Sequence, residues 1–272
     1  MNITLFVLGD ELLSGKRQDK HLPKVIELLA ARGLALHSVE FMGDDEAQIA
    51  EAIARVQGRG DLLLSCGGIG ATPDDCTRQA AARAFNLPIA RHPEAEAIIV
   101  AQYGARARPN RVLMADFPAG ALLIPNPVNR VAGFSVGHCH FVPGFPEMAW
   151  PMLEWVLDSH YRHLSNAEPP VEYRLLALGS AAEGDLLDLM NAALAAHPAI
   201  KLSSLPFRGG TGREAHIEFG FKGPHEDAAA AYVAFEAGLR ARGLRVQAAC
   251  PPAARPDDSR THCFANSVSP SA

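Results

Sequence analysis

At 272 residues and 48% hydrophobic, the chain has material for one large or two small cored domains. A net charge of −5, without any long Lys or Arg run, weighs against nucleic acid as a partner. Five cysteines without paired spacing fit a reducing compartment, no apolar stretch approaches the roughly 20 residues that span a bilayer, and no basic leader opens the chain; these features lead to the expectation of a cytoplasmic protein with no membrane partner.

The first half alternates strand and helix. Ile3 to Leu8 reads as a strand, and Leu22 to Arg32 as a helix that stops at Gly33. Leu36 to Met42 is a second strand and Glu46 to Val56 a second helix. Asp61 to Ser65 is a third strand, followed by a glycine-rich turn and a helix ending at Phe85. Three such units in a row predict a parallel sheet with helices on both faces. Glu94 to Tyr103 and Met148 to Leu157 read as helices. Between them, Asp116 to Phe145 reads as short strands and turns, including Ala121–Ile124 and His140–Val142.

Ser165 to Pro170 marks a domain boundary. Beyond it the predicted order is strand (Val171–Leu178), helix (Glu183–Ala196), strand (Ile200–Leu205), glycine hairpin, strand (Glu214–Phe221) and helix (Glu226–Arg242), a small α+β unit. The domains are thus expected at 1–165 and 170–245, with a disordered tail at 251–272.

The chemistry concentrates on one stretch, Cys66-Gly67-Gly68-Ile69-Gly70-Ala71-Thr72-Pro73-Asp74-Asp75-Cys76-Thr77. Strand, glycine turn and helix start together form a phosphate cradle, because glycines admit close approach and free N–H groups attract anions. Gly67, Gly68, Gly70 and Thr72 are therefore candidate phosphate ligands. Carboxylates in such a place imply either helix caps or an intervening cation. Acidic pairs follow each of the first three strands: Asp10 with Glu11, Asp44 with Asp45, and Asp74 with Asp75. Ligands bind outside the carboxyl ends of parallel strands, so the pairs meet on one edge. Asp10, Asp44, Asp74 and Asp75 are candidate ligands of a divalent metal such as Mg2+, Mn2+ or Co2+.

Asn126 and the loop Pro143-Gly144-Phe145-Pro146-Glu147 are further candidates. Asn126 can bond a base or pterin edge and Glu147 can join the acids, although turn chemistry alone accounts for both loops. Gly133-Phe134-Ser135-Val136-Gly137 matches a nucleophile-elbow pattern but lacks the following helix, so the match is read as accidental. His138 and His140 share a strand face without a recognisable third metal ligand, and are read as structural.

Several segments in register resemble the molybdopterin-binding domain superfamily, and within it the N-terminal part of competence/damage-inducible (CinA-type) proteins. They are Gly9-Asp10-Glu11-Leu12-Leu13-Ser14-Gly15, Gly43-Asp44-Asp45, the Gly67–Thr77 turn, Ile124-Pro125-Asn126-Pro127-Val128 and Val142-Pro143-Gly144-Phe145-Pro146-Glu147-Met148. The resemblance covers residues 1 to about 160, and the smaller unit is similar to the KH-like module that follows in that family. It implies a three-layer α/β/α sandwich with a mostly parallel sheet, then a KH-like α+β domain. It also implies a phosphorylated pterin or nucleotide ligand, molybdopterin among the possibilities, at an edge where Asp44 and Asp75 serve metal and phosphate. Some relatives cleave the diphosphate of ADP-ribose with a divalent metal, which would make Asp44 and Asp75 catalytic.

Three departures stand beside it. Ile69 and Ala71 replace the Leu and Pro usual in the family turn. Asn129-Arg130-Val131-Ala132-Gly133 replaces a run of small residues, and the family's C-terminal amidohydrolase domain is missing, so deamidation of nicotinamide mononucleotide is not expected. Two readings stay open, a metal-dependent pyrophosphatase and a non-catalytic molybdopterin- or nucleotide-binding protein. RNA binding through Gly209-x-x-Gly212 is disfavoured because that motif falls in a hairpin; a homo-oligomer-forming role is expected for the small module.

Overall fold

The computed structural model describes residues 1–166, 169–179, 182–210 and 212–249. The expected tail at 251–272 lies outside the described residues. The chain divides between Ala167 and Glu168 into two compact units.

In the first unit the elements run β1 (Ile3–Leu8), α1 (Asp10–Leu13), α2 (His21–Ala30), β2 (Ser38–Met42), α3 (Glu46–Gly58), β3 (Leu62–Cys66), α4 (Thr77–Phe85), β4 (Ile89–Arg91), α5 (Pro93–Tyr103), β5 (Asp116–Pro118), β6 (Leu122–Ile124), β7 (Gly133–Val136), β8 (Cys139–Val142) and α6 (Pro146–His160). Six strands form one sheet in the order β2-β1-β3-β8-β7-β6. Its first four strands are parallel, and β8, β7 and β6 are antiparallel. Every residue of β1 and β3 is buried, as expected when both faces of a parallel sheet are covered. Alternate side chains serve opposite cores. Phe6, Leu8 and Leu63 pack with residues of α3, α4 and α5. Ile3, Leu5, Val7, Leu62 and Leu64 pack with α2 and α6 on the other face. Those two cores make the three-layer α/β/α sandwich.

Two features of this unit bear on the motifs read from the sequence as accidental or structural. Gly133–Gly137 is strand β7 turning through a tight hairpin into β8, so the nucleophile-elbow context is absent. Ser135 Oγ pairs with His140 Nδ1 at 2.8 Å, His140 Nε2 with the Tyr161 hydroxyl at 2.8 Å, and His138 Nδ1 with the same hydroxyl at 3.1 Å. Burial, with the His160 and His138 imidazoles nearby, pushes His140 down to about 3, so it is neutral and structural.

The second unit comprises β9 (Val171–Leu178), α7 (Leu187–Ala196), β10 (Lys201–Phe207), β11 (His216–Gly223), α8 (His225–Ala241) and β12 (Arg245–Ala248). The sheet order is β10-β11-β9-β12, antiparallel throughout. This β-α-β-β-α-β order, with each crossover skipping one strand, is the ferredoxin-like plait. Gly209 and Gly212 lie in the β10–β11 hairpin, where the sequence placed them, and not between two helices. The unit extends past the expected end at 245, because β12 begins at Arg245 and runs to Ala248. Phe219, Phe221 and Phe235 anchor a separate core here.

Candidate functional site

Four parallel strands end together, and the loops beyond Leu8, Met42, Cys66 and Val142 meet at that carboxyl edge. A cleft of about 480 Å³ opens there. Its floor is the glycine turn, whose shape demands glycine for steric reasons. Gly67 (φ 113°) and Gly68 (φ 70°) are left-handed. A Cβ at Gly67 would stand 2.5 Å from the Leu8 carbonyl oxygen; one at Gly68 would collide with Thr77 Oγ1, and one at Gly70 with the Asp75 carboxylate. Buried Thr77 clasps the turn onto α4: its hydroxyl donates to the Gly67 carbonyl and its N–H to the Gly68 carbonyl, both at 3.0 Å.

The acids split into three kinds. Asp45 is the N-cap of α3; its carboxylate accepts from Ala47 N–H at 2.9 Å and Gln48 N–H at 3.0 Å. Asp10 and Asp44 are laced to each other's backbone: Asp10 N–H donates to Asp44 Oδ2 at 3.1 Å, and Asp44 N–H to Asp10 Oδ1 at 3.2 Å. Asp75 Oδ2 accepts from Thr72 N–H at 2.9 Å and from its hydroxyl at 2.5 Å. Among the described residues, Asp44 Oδ1 and Asp75 Oδ1 have no protein partner. Partial burial, then the charges of Asp10, Asp74 and Glu11, hold Asp44 above its ordinary value despite the Asp10 N–H. Asp74 goes the other way, held low by the polar groups around it, the nearby Thr72 side chain and its own backbone N–H.

Asp44, Asp74, Asp75, Gly67, Gly68, Gly70, Thr72, Asn126 and Gly144 all line the cleft. Asp10 lines an adjoining shallower hollow that shares Glu11, Asp44 and Asp74 with it. Glu147, on the first turn of α6, lines neither. Asn126 has an occupation of its own. Its Oδ1 accepts from the N–H groups of Val128 (3.0 Å) and Asn129 (3.4 Å), and its Nδ2 donates to the Val131 carbonyl at 3.0 Å. The buried amide thus shapes the Asn126–Val131 loop, and turn chemistry is the better account of it.

Sequence reasoning missed other lining groups. Arg17, its guanidinium 3.5 Å from Glu11, is the one cation among the lining residues. Met114, Phe145 and Met148 form an apolar wall. Asn129 Nδ2 lies 3.4 Å from Met148 Sδ, so the altered loop closes against α6. Arg17 and Met114 carry no motif, whereas Phe145 and Met148 fall in the Val142–Met148 segment and Asn129 in the altered loop, where their lining role was not read.

Among the described residues, no three His, Cys, Asp or Glu side chains close on one point. A Mg2+-like cation fits such an edge differently, through one or two carboxylates plus ligand phosphates and water. The partner-free oxygens of Asp44 and Asp75, and the unrelieved repulsion at Asp44, suit that mode.

A family model described as "Probable molybdopterin binding domain" matches residues 4–163. The chain belongs to this family. It is similar to a CinA-like protein of Syntrophotalea carbinolica, 30% identical over 67% of this chain and 46% of that one. It is also similar to a CinA-like protein of Anaeromyxobacter sp. (strain Fw109-5), 31% identical over 86% of this chain and 58% of that one. A crystal structure of CinA from Thermoplasma acidophilum, titled as of unknown function, superposes with a TM-score of 0.54 at 26% identity, over 58% of this chain and 98% of that one. The chain spans about half the length of the curated relatives it matches. The family match lies within the α/β/α unit and contains the whole cleft. Among the described residues, no helix is long and apolar enough to cross a membrane.

Proposed function

We propose that the cleft binds a phosphorylated pterin or nucleotide and, with a divalent cation, hydrolyses the diphosphate of a nucleoside diphosphate compound such as ADP-ribose. The observation that carries this reading is the meeting of the Gly67–Gly70 turn with Asp44, Asp74 and Asp75 in one cleft. A bound cation would neutralise the diphosphate and polarise its phosphorus–oxygen bonds. The chain's own groups then have distinct tasks. The glycine turn lets phosphate oxygens approach backbone N–H groups. Asp75, fixed by Thr72, holds its free oxygen toward the cleft edge. Asp44, crowded by Asp10, Asp74 and Glu11, would share the cation with Asp75 and lie beside the attacking water. Hydrolysis joins the water oxygen to one phosphorus and breaks its bond to the bridging oxygen, releasing AMP and ribose 5-phosphate from ADP-ribose. A cytoplasmic homo-oligomer is part of the same proposal.

The closing of Asn129 against Met148 supports a second reading, a molybdopterin- or nucleotide-binding protein without turnover. Incubating the protein with ADP-ribose and Mg2+, Mn2+ or Co2+, beside Asp75→Asn, separates the two. Metal-dependent AMP release by the wild type alone supports the hydrolase. No release with any metal favours the binding protein, and thermal shift with pterins and nucleotides then identifies its ligand.

A further inference from the structure

We propose that Arg78 is the fixed cation of the phosphate subsite, and that a ligand phosphate seated on the Gly67–Gly70 turn is its counter-ion. The proposal rests on the reading of that turn as a phosphate site and adds the group that supplies its positive charge.

Arg78 is the second residue of α4, and its position in the helix suggests an ordinary surface arginine. It is instead 4% exposed. Its guanidinium donates to three backbone carbonyls: Nη2 to Gly70 at 2.6 Å, and Nη1 to Leu113 and, at 3.4 Å, to Asp116. The buried Nε has no partner. Gly70 lines the cleft, so the guanidinium braces the turn from behind through that carbonyl.

Among the described residues, no carboxylate oxygen bonds to this guanidinium. Asp116, the strongest negative influence on it, is held by Arg91 through two hydrogen bonds. Asp75, the next, bonds through Oδ2 to Thr72 rather than to the guanidinium, and lines the cleft itself. Arg91 is the like charge nearby. A guanidinium cannot shed its proton to escape burial as a lysine can. Carbonyl dipoles offset part of the desolvation cost, and an anion at the turn would offset more. Such an anion sits between the Arg78 charge behind the turn and the carboxylates in front. That arrangement suits a phosphate carrying its own divalent cation.

The test uses inorganic pyrophosphate, with and without Mg2+, as the probe of thermal stabilisation. The variants are Arg78→Lys and Arg78→Met, each checked by near-ultraviolet circular dichroism. The wild type, measured at every pH, controls for the titration of pyrophosphate itself. A lysine buried at this position loses its proton within reach of experiment. Pyrophosphate should therefore stabilise Arg78→Lys near pH 7 and cease to as the pH rises toward about 10, while the wild type remains stabilised. A folded Arg78→Met should bind at least about tenfold more weakly at every pH. If Arg78→Met does not fold, the pH profile of Arg78→Lys decides. Stabilisation of Arg78→Lys that tracks the wild type to high pH, or unchanged affinity in folded Arg78→Met, overturns the role of Arg78 and leaves the phosphate site standing. No stabilisation of the wild type under any condition overturns the phosphate reading and this proposal with it.

Discussion

Neighbouring residues of one type do different work at this sheet edge. Asp45 caps α3, whereas Asp44 faces the cleft. Asp45→Ala should cost about 1 kcal/mol of stability through loss of the cap and leave ligand binding unchanged. Asp44→Asn should do the reverse, impairing turnover with little loss of stability. Denaturant melts beside binding and turnover assays separate the two residues. The glycines divide similarly. Gly68→Ala meets both a left-handed backbone and the Thr77 hydroxyl, and should cost roughly 1–3 kcal/mol and distort the turn. Gly144→Ala places its Cβ 3.4 Å from the Gly67 Cα, an ordinary contact, and should be close to neutral for the fold.

His140 gives the pH dependence. Its folded value, about 3, lies below the ordinary 6.5, so below 6.5 the unfolded chain binds a proton that the native state refuses. Its contribution is intact above 6.5 and is lost as the pH falls toward 3, by up to about 1.4 kcal/mol per pH unit. Replacing it as His140→Gln keeps a hydrogen-bonding side chain and removes the titration. Urea midpoints measured from pH 7 to 4 should therefore fall less steeply in that variant than in the wild type.

Elements were legible where burial is continuous and long. The strand expected at Asp61–Ser65 and found at Leu62–Cys66 was readable because all five of its residues are interior, and the glycine turn because its backbone leaves little room for any other side chain. Short strands with few buried residues were not individually legible. The β4 and β5 strands have three residues each and find each other across 24 intervening residues, with Ile89 and Ala90 exposed. The β7 strand hid inside a hydrolase-like motif, and β12 carries only one half-buried apolar residue, Val246. Site residues divided by how near their partners lie in sequence. The motif glycines and Asp75 were readable from spacing, and the cap role of Asp45 and the loop-shaping amide of Asn126 stood among the sequence alternatives because their partners are local; the burial of Arg78 depends on the remote Leu113 and Asp116 carbonyls. The β12 strand now has a measurable consequence. It pairs with β9 from Arg245↔Leu178 to Ala248↔Leu175. Truncation after Leu244 removes that ladder and the Val246 contact, so it should lower the melting temperature of the second unit relative to truncation after Ala249. Paired calorimetric scans of the two truncations check this.

At the scale of the molecule, each unit has its own interior. The two cores of the first unit are drawn from residues between Ile3 and Leu164, and the core of the second from residues between Val171 and Val246. Every residue lining the cleft, from Leu8 to Met148, belongs to the first. A unit that closes its own sheet faces and holds its site entire has the physical requirements of an independent folding domain. A fragment of residues 1–166 should therefore unfold in one cooperative transition, with native near-ultraviolet circular dichroism. It should retain whatever affinity the full chain has for a phosphorylated ligand, within a factor of about two. The fragment keeps the sandwich, the glycine turn, the carboxylates and Arg78. A fragment that folds but loses that affinity would place part of the binding energy in the second unit, and a fragment that melts without cooperativity would show that the sandwich needs it to fold.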